Sequence, residues 1–169
     1  MSLKLVDLNK DSVRNLMLEE FEQDVKEDKL FISNLLNPGS RDKYIYLFSE
    51  AILKGDDSSL ARTILINGLL NDKISQRDYT GKVKIMKTPK DAHITLAEEE
   101  FNRFYMRGVC KAAASQGKSV KVYMHDKPEF KQITLDPVRV LGDLRKHIEI
   151  YKALKVPYGS DGASLQIND

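Results

Sequence analysis

The chain contains 169 residues with 27 Lys+Arg against 25 Asp+Glu, and 41% of its residues are hydrophobic. This length and composition suit one globular domain, or one domain with a helical annex, and argue against global disorder. No apolar run approaches the roughly 18 residues of a membrane span, and the first residues lack the apolar core of a signal peptide. We therefore expect a soluble cytoplasmic protein. The single cysteine, Cys110, excludes an internal disulfide and a cysteine-based zinc cluster.

The net charge of +2 conceals an uneven distribution along the chain. Residues 1–78 hold 11 Lys+Arg against 14 Asp+Glu, a formal charge of −3. Residues 79–155 hold 16 against 9, a charge of +7, and residues 156–169 add two aspartates and no base. A basic segment between acidic ends indicates a surface for an anionic partner, although lysine is also a common solubilising residue.

The first half of the sequence has the periodicity of helices. The sequence Asn37-Pro38-Gly39 and the later Gly55 end two of them, because proline cannot continue a helix and glycine allows positive φ. Asp57 or Ser58 can cap the fourth helix. The four apolar stripes are Val13, Met17, Phe21 and Val25; Leu30, Phe31, Leu35 and Leu36; Tyr44, Ile45, Phe48, Ala51 and Ile52; and Leu60, Ala61, Ile64, Leu65 and Leu69.

The second half mixes helix and strand patterns. Thr95-Leu96-Ala97-Glu98 is a capping box, so we expect a long helix from Thr95 to about Ser115. Gly108 costs this helix about 1 kcal/mol relative to alanine, and a close approach by another element would explain it. Further patterns predict strands at Val120–Met124, Phe130–Thr134 and Ala163–Ile167, a helix that begins at Asp136-Pro137, and helical residues around Ile148, Tyr151 and Leu154.

Residues 71–94 are more polar and less regular than their neighbours. Asp78-Tyr79-Thr80-Gly81 predicts a turn, and residues 82–87 alternate basic and apolar side chains as in a short exposed strand. We predict a linker or mobile loop here, between a helical bundle or annex at residues 1–78 and an α+β unit at 79–169. The whole is an α-rich α+β fold with two to three short strands in its C-terminal unit, in two parts or as one continuous domain.

Three cations on the predicted long helix are spaced four residues apart. Arg103, Arg107 and Lys111 therefore share one side of the helix as a basic ridge. Like charges at this spacing repel by a few tenths of a kcal/mol, so a bound anion such as a phosphate backbone would relieve the repulsion. The alternative is an ordinary solvated helix face on which Glu99 neutralises Arg103.

Three side chains on one face of the strand at residues 120–124 extend this pattern. Lys121, Tyr123 and His125 alternate with apolar residues, and basic and aromatic side chains on an open sheet can hold phosphates and stack bases. The consensus of a sheet-based RNA-binding domain is missing from the sequence. A polar outer strand face is the alternative interpretation.

Catalysis has little support in the sequence, and no cofactor or metal is predicted. His93, His125 and His147 are far apart, and no HExxH or CxxC spacing occurs. Cys110 suits a buried structural thiol better than a nucleophile, which needs a basic and partly open setting. A Cys110 paired with His125 or His147 is the remaining enzymatic alternative.

We therefore expect a non-catalytic binding protein with a basic surface for an anionic partner, in its most specific form a nucleic acid. The second hypothesis is a protein–protein adaptor or homo-oligomer, in which Phe31, Leu35 or Phe48 belongs to an exposed apolar face. A small Cys/His enzyme is the third. The residues predicted to bind the anion are Arg103, Arg107, Lys111, Lys121, Tyr123 and His125.

Overall fold

The structure is a computed structural model that describes residues 3–124, 133–158, 160 and 162–169. These residues form an α-rich α+β fold, which confirms the predicted fold class. The helices are α1 (Asp11–Lys26), α2 (Arg41–Lys54), α3 (Asp57–Ile66), α4 (Ala92–Ser115), α5 (Pro137–Arg145) and α6 (Ile150–Ala153). The strands are β1 (Lys73–Arg77), β2 (Val83–Lys87), β3 (Val120–Met124), β4 (Thr134–Leu135) and β5 (Ala163–Ile167).

Helix α4 forms the centre of the fold. It packs against α1, α3, α5 and β5, so that residues on every side of it are buried. Apolar residues from both halves of the sequence join one hydrophobic cluster around it. No helix in the described part of the chain is both long and apolar enough to cross a membrane.

Aromatic rings connect α1 and α2 to α4. Phe21 of α1 stacks on Phe48 of α2 with ring centroids 4.7 Å apart. Phe104 of α4 meets both rings edge-on, at 5.3 Å from Phe21 and 5.5 Å from Phe48. Aromatic pairs in these geometries stabilise by about 0.5–1.5 kcal/mol beyond the burial of their area, so the trio fixes how the three helices meet.

A three-stranded antiparallel sheet in the order β4-β3-β5 covers another side of α4. The amide nitrogen of Asn102 donates to the carbonyl oxygen of Ala163 at 2.9 Å, and the Tyr105 hydroxyl donates to that of Leu165 at 3.0 Å. These buried bonds hold β5 against α4. The predicted strands at 120–124 and 163–167 are confirmed; β4 begins at Thr134, while residues 130–132 of the predicted strand lie outside the described residues.

The predicted starting point of α4 is wrong. The helix begins at Ala92, one turn before the Thr95-Leu96-Ala97-Glu98 sequence. The backbone amides of Ile94 and Thr95 both donate to the carbonyl oxygen of Asp91, at 3.0 and 3.1 Å. Because this bonding already continues the helix backwards, Thr95 lies inside the helix and has no capping role.

The helix predicted from the apolar cluster at residues 30–36 is also wrong. This segment has no helix and instead lies beside residues 69–71. The amide of Asn71 donates to the carbonyl oxygen of Leu35, and the amide of Asn37 donates to that of Leu69, both at 2.8 Å. The backbone groups that a helix would use are therefore already paired with a distant part of the chain.

Gly108 lies where α1 approaches α4 most closely. A Cβ atom at this position would lie 2.6 Å from Met17 Cγ, 2.9 Å from the carbonyl oxygen of Val13 and 3.1 Å from the Met17 backbone nitrogen. Two of these three atoms belong to the backbone of α1, which cannot move aside as a side chain can. The expected close approach is therefore present, and it explains why a glycine occupies the middle of a buried helix.

We predict that Gly108→Ala lowers the free energy of unfolding by about 1–3 kcal/mol, since overpacking outweighs the better helix propensity of alanine. Gly142→Ala in α5 is the matched control, because nothing lies within 4 Å of its Cβ position. That control should be neutral, or stabilising by up to about 1 kcal/mol. Urea unfolding followed by circular dichroism measures both. Equal stabilisation by the two substitutions would contradict the close approach.

Candidate nucleic-acid interface

On the helix side predicted to carry an exposed basic ridge, Arg107 and Lys111 face carboxylates of α1. Arg103 and Arg107 are only 6% and 3% exposed. Arg107 donates from Nη1 and Nη2 to the two carboxylate oxygens of Asp24, at 2.8 and 2.9 Å, and from Nε to Glu20 Oε1 at 3.1 Å. An anion could reach this guanidinium only by displacing the carboxylates of α1, so Arg107 does not form an open surface.

Glu20 also forms ion pairs with cations at two further positions. Arg145 of α5 donates from Nε and Nη2 to its two oxygens, at 2.8 and 2.9 Å. Lys111 Nζ lies 3.5 Å from Glu20 and 3.1 Å from Glu19. The acidic charge of the first half thus meets basic charge of the second half inside the fold. We call the set Glu19, Glu20, Asp24, Arg107, Lys111 and Arg145 the Glu20 cluster.

The cluster strongly perturbs the Glu20 carboxyl group. Burial alone would raise its pKa, but the hydrogen bond from Arg145 and the charge of Arg107 outweigh burial and lower the pKa to about 2. The carboxylate is therefore ionised throughout the physiological pH range. A buried carboxylate tolerates this only because its oxygens are occupied by cationic donors.

The contacts of Arg103 differ from those of the Glu20 cluster. Its Nη1 donates to the carbonyl oxygen of Ile148 at 2.8 Å, while Nε is buried without a hydrogen-bond partner. Burial lowers the pKa of Arg103, and the neighbouring Glu100 and Glu99 oppose that change. An arginine still carries its charge under these conditions. Of the three residues of the predicted ridge, Arg107 and Lys111 thus contact Glu20, whereas Arg103 contacts the backbone of Ile148.

The predicted strand residues are only partly described. Lys121 and Tyr123 lie on β3 and are half-buried, and burial raises the pKa of Tyr123 to about 12. His125 lies outside the described residues. Their assignment to an anion-binding surface stays a prediction.

The segment predicted as a linker or mobile loop instead folds into a two-stranded antiparallel ribbon, β1 paired with β2. Its predicted turn is present: Asp78 Oδ1 accepts from the amides of Thr80 and Lys82, at 2.9 and 3.0 Å, and Gly81 has a φ of +82°. Every residue of the two strands is exposed except Ile74, which is half-buried. The ribbon therefore presents both of its faces to solvent.

The ribbon is strongly basic. Because opposed residues in an antiparallel pair share a face, Lys73 and Lys87 lie together on the same face as Arg77, and Lys84 lies on the other. Like charges directly opposite one another are destabilising. Within the described part of the chain, no carboxylate lies within 4 Å of a lysine of the ribbon. The ribbon holds Lys73, Arg77, Lys82, Lys84 and Lys87 against one acid, Asp78.

Large apolar side chains are interleaved with these cations. Tyr79 in the turn is fully exposed, and Ile85 is 75% exposed. Val83 and Met86 are exposed as well. Exposed apolar side chains next to unpaired cations are typical of a contact surface for another molecule. The alternation at residues 82–87 was a usable signal for β2, whereas β1 contains a single large apolar residue and was missed.

The structure gives the enzymatic hypothesis no support at Cys110. The thiol is buried, and burial raises its pKa to about 12. His147 instead packs on the Phe31 ring with centroids 4.5 Å apart and lies 3.6 Å from Glu100. In the regions the structure describes, no three His, Cys, Asp or Glu residues are grouped to hold a metal ion.

Comparison with known proteins identifies no relative: no protein-family model, curated protein or solved structure matches this chain.

Protonation of Glu20 should destabilise the protein in acid. The pKa of Glu20 is about 2 in the folded protein and near 4.5 in the unfolded chain. The ionised carboxylate therefore stabilises the fold fully above about pH 5, and this stabilisation is lost as the pH falls towards 2. This amounts to about 3 kcal/mol. In Glu20→Gln we therefore expect a deficit in unfolding free energy at pH 7 that shrinks between pH 5 and 2.

Urea denaturation across this pH range measures the effect, and Glu19→Gln is the matched control. Glu19 is exposed and forms a surface ion pair with Lys111, so its loss should cost less than about 1 kcal/mol. A deficit of Glu20→Gln that stays constant from pH 7 to pH 2 would show that the carboxylate is not the group that titrates.

Cys110 should be unreactive in the native protein. A thiol that is buried and has a raised pKa provides almost no thiolate at neutral pH. We expect labelling by a disulfide reagent such as DTNB to be complete in urea and to follow the rate of unfolding without urea. Fast stoichiometric labelling of the native protein at pH 7 would restore the thiol-enzyme hypothesis.

Proposed function

We propose that the protein is a non-catalytic nucleic-acid-binding protein that contacts the phosphate backbone through its β1–β2 ribbon. One observation carries the proposal: the ribbon concentrates cations that have no carboxylate partner among the described residues. Arg107, Lys111 and Arg145, by contrast, are occupied by carboxylates of α1. Unpaired cations release counterions from a phosphate backbone when they bind, which drives association.

The shape of the ribbon favours a nucleic acid over a flat acidic protein surface. A two-stranded ribbon fits into the major groove of duplex DNA, which is about 12 Å wide. A groove has phosphates along both of its walls, and the ribbon carries cations on both of its faces, at Lys73 and Lys87 on one and Lys84 on the other. A flat partner would engage one face only.

The exposed apolar residues suit the same partner. Tyr79 lies in the turn between the strands, where it can stack on a base, and Ile85 can contact a thymine methyl group. In this proposal the ribbon is the principal contact. Arg107 and Lys111, which the sequence pattern suggested as ligands, form ion pairs with carboxylates of α1.

A second candidate is self-association through the ribbon. Both outer edges of the ribbon lack a neighbouring strand in the described sheets, and unpaired edges are templates for pairing with another chain. Ile85 would then be covered by a second copy. Of the residues first considered for an apolar interface, Phe48 is buried, Leu35 is partly buried and Phe31 is exposed but packed on His147.

The test compares two triple variants with the same change in net charge. Lys73, Lys84 and Lys87 are replaced by alanine in the first, and Lys29, Lys54 and Lys152, which are exposed and ion-paired, are replaced in the second. Fluorescence anisotropy with a labelled duplex and a labelled single strand is recorded at several salt concentrations. The ribbon variant should lower the slope of log K against log salt by about 3, since each phosphate contact contributes about 0.9.

The control variant should bind within about twofold of the unmodified protein, because its lysines lie outside the proposed contact. Lack of binding at low salt, or equal losses in the two variants, would refute the ribbon as a nucleic-acid contact. Light scattering then separates the second candidate: a dimer that Ile85→Ser converts to a monomer would establish self-association.

A further inference from the structure

The two faces of the ribbon differ in how open they are. Because alternate residues of a strand share a face, the register divides the ribbon into two sets of side chains. One set, which we call the Arg77 face, consists of Lys73, Ser75, Arg77, Val83, Ile85 and Lys87. All of these residues are exposed. The opposite face contains Ile74, which is half-buried, and its partner Met86, which is 41% exposed. The Arg77 face is therefore the more accessible of the two.

Arg77 is oriented by the turn of the ribbon. Its Nη1 donates to the carbonyl oxygen of Gly81 at 3.1 Å, whereas Nε and Nη2 make no hydrogen bond to a described residue. The neighbouring Asp78 forms no ion pair with it, and Asp78 Oδ1 accepts instead from the amides of Thr80 and Lys82. The ribbon thus presents an exposed guanidinium whose position is fixed on one side and whose donors are open on the other.

A guanidinium of this kind matches the major-groove edge of guanine. The O6 and N7 atoms of guanine are neighbouring acceptors, and a bidentate arginine is their commonest specific partner in protein–DNA complexes. A side chain that is already bonded to the backbone loses less conformational freedom when it binds. Lysine has no planar pair of donors. Arg77 is therefore suited to recognise a base, whereas the lysines of the ribbon are suited to contact phosphates.

Ile85 provides an apolar contact on the same face. It is 75% exposed and lies opposite Ser75, so that it is the diagonal neighbour of Arg77. Diagonal neighbours on one face of an antiparallel pair are about 7–8 Å apart, and two base-pair steps of DNA span about 7 Å. The methyl group of thymine is accessible in the major groove, where it accepts apolar contacts. Arg77 and Ile85 can thus reach a guanine and a thymine about two steps apart.

We propose that the Arg77 face lies on the floor of the major groove of duplex DNA, where Arg77 recognises guanine and Ile85 recognises the methyl group of thymine. This inference rests on the proposed function and adds base recognition to its phosphate contacts. Because the groove is about 8.5 Å deep, its walls rise beside a ribbon on its floor, and Lys84 on the opposite face still reaches a phosphate.

The same geometry selects DNA over RNA. The major groove of an A-form RNA duplex is deep and narrow, so that protein side chains do not reach its base edges. Uracil also lacks the methyl group that Ile85 would contact. The ribbon therefore meets only the outer phosphates of an RNA duplex.

The test compares modified duplexes with the unmodified protein, by fluorescence anisotropy. A mixed-sequence DNA duplex is prepared with 7-deazaguanine for guanine, which removes N7, and with uracil for thymine, which removes the methyl group. Inosine for guanine is the matched control, because it removes a minor-groove amino group and keeps O6 and N7. Affinity should fall about fivefold with 7-deazaguanine and about threefold with uracil, and stay within about twofold with inosine. Duplex RNA should bind at least about tenfold more weakly than DNA.

Two substitutions of exposed residues assign these effects to the Arg77 face. Arg77→Lys keeps the charge but loses the donor pair, so it should keep the salt slope and bind the guanine and 7-deazaguanine duplexes equally. Ile85→Ala should lose the preference for thymine over uracil. Ile66→Ala should keep that preference, because this isoleucine of α3 is 74% exposed but lies outside the ribbon.

The outcomes separate this inference from the proposed function. Equal affinity of the unmodified protein for all the DNA duplexes, or for duplex DNA and duplex RNA, would overturn base recognition and leave the phosphate contact of the ribbon intact. A persistent preference of Arg77→Lys for guanine over 7-deazaguanine would show that another residue recognises the base. Lack of binding to every duplex at low salt would overturn both proposals.

Discussion

The contact between α1 and α4 is the constraint on which the rest of the structure depends. Gly108 removes the side chain that would keep the two backbones apart, and the Glu20 cluster forms along the same pair of helices. Removing the carboxylates that pair with the buried Arg107 would leave an uncompensated charge in the core, which is strongly destabilising. The close approach and the ion pairs are thus mutually dependent: without the approach the carboxylates of α1 would not reach Arg107, and without them α4 could not bury it.

This contact also divides the cations of the protein into two kinds. Those of the Glu20 cluster neutralise carboxylates within the fold and fix how α1, α4 and α5 meet. Those of the ribbon have no such role among the described residues, and their mutual repulsion is reduced only by water and salt. Charge that does not stabilise the fold is available for a partner, which favours the ribbon over α4 as the contact surface that we propose.

The proposed binding by the ribbon differs from binding in a closed pocket. Several exposed lysines would each contribute little and would each be weakened by salt, so the affinity would come from their number. That arrangement suits a long repetitive polyanion.

The sequence by itself determined the local elements: periodicity located α1, α2 and α3, alternation located β3 and β5, and Asp136-Pro137 located the start of α5. It also determined the charge division and the unusual Gly108. Only the tertiary structure decided which neighbour covers each face. Spacing places Arg103, Arg107 and Lys111 on one side of a helix but does not show that α1 lies there. The helix predicted at residues 30–36 was wrong because the backbone partners of that segment, residues 69–71, are distant in sequence. β1 was missed because it contains a single large apolar residue and so lacks the alternation that marks β2.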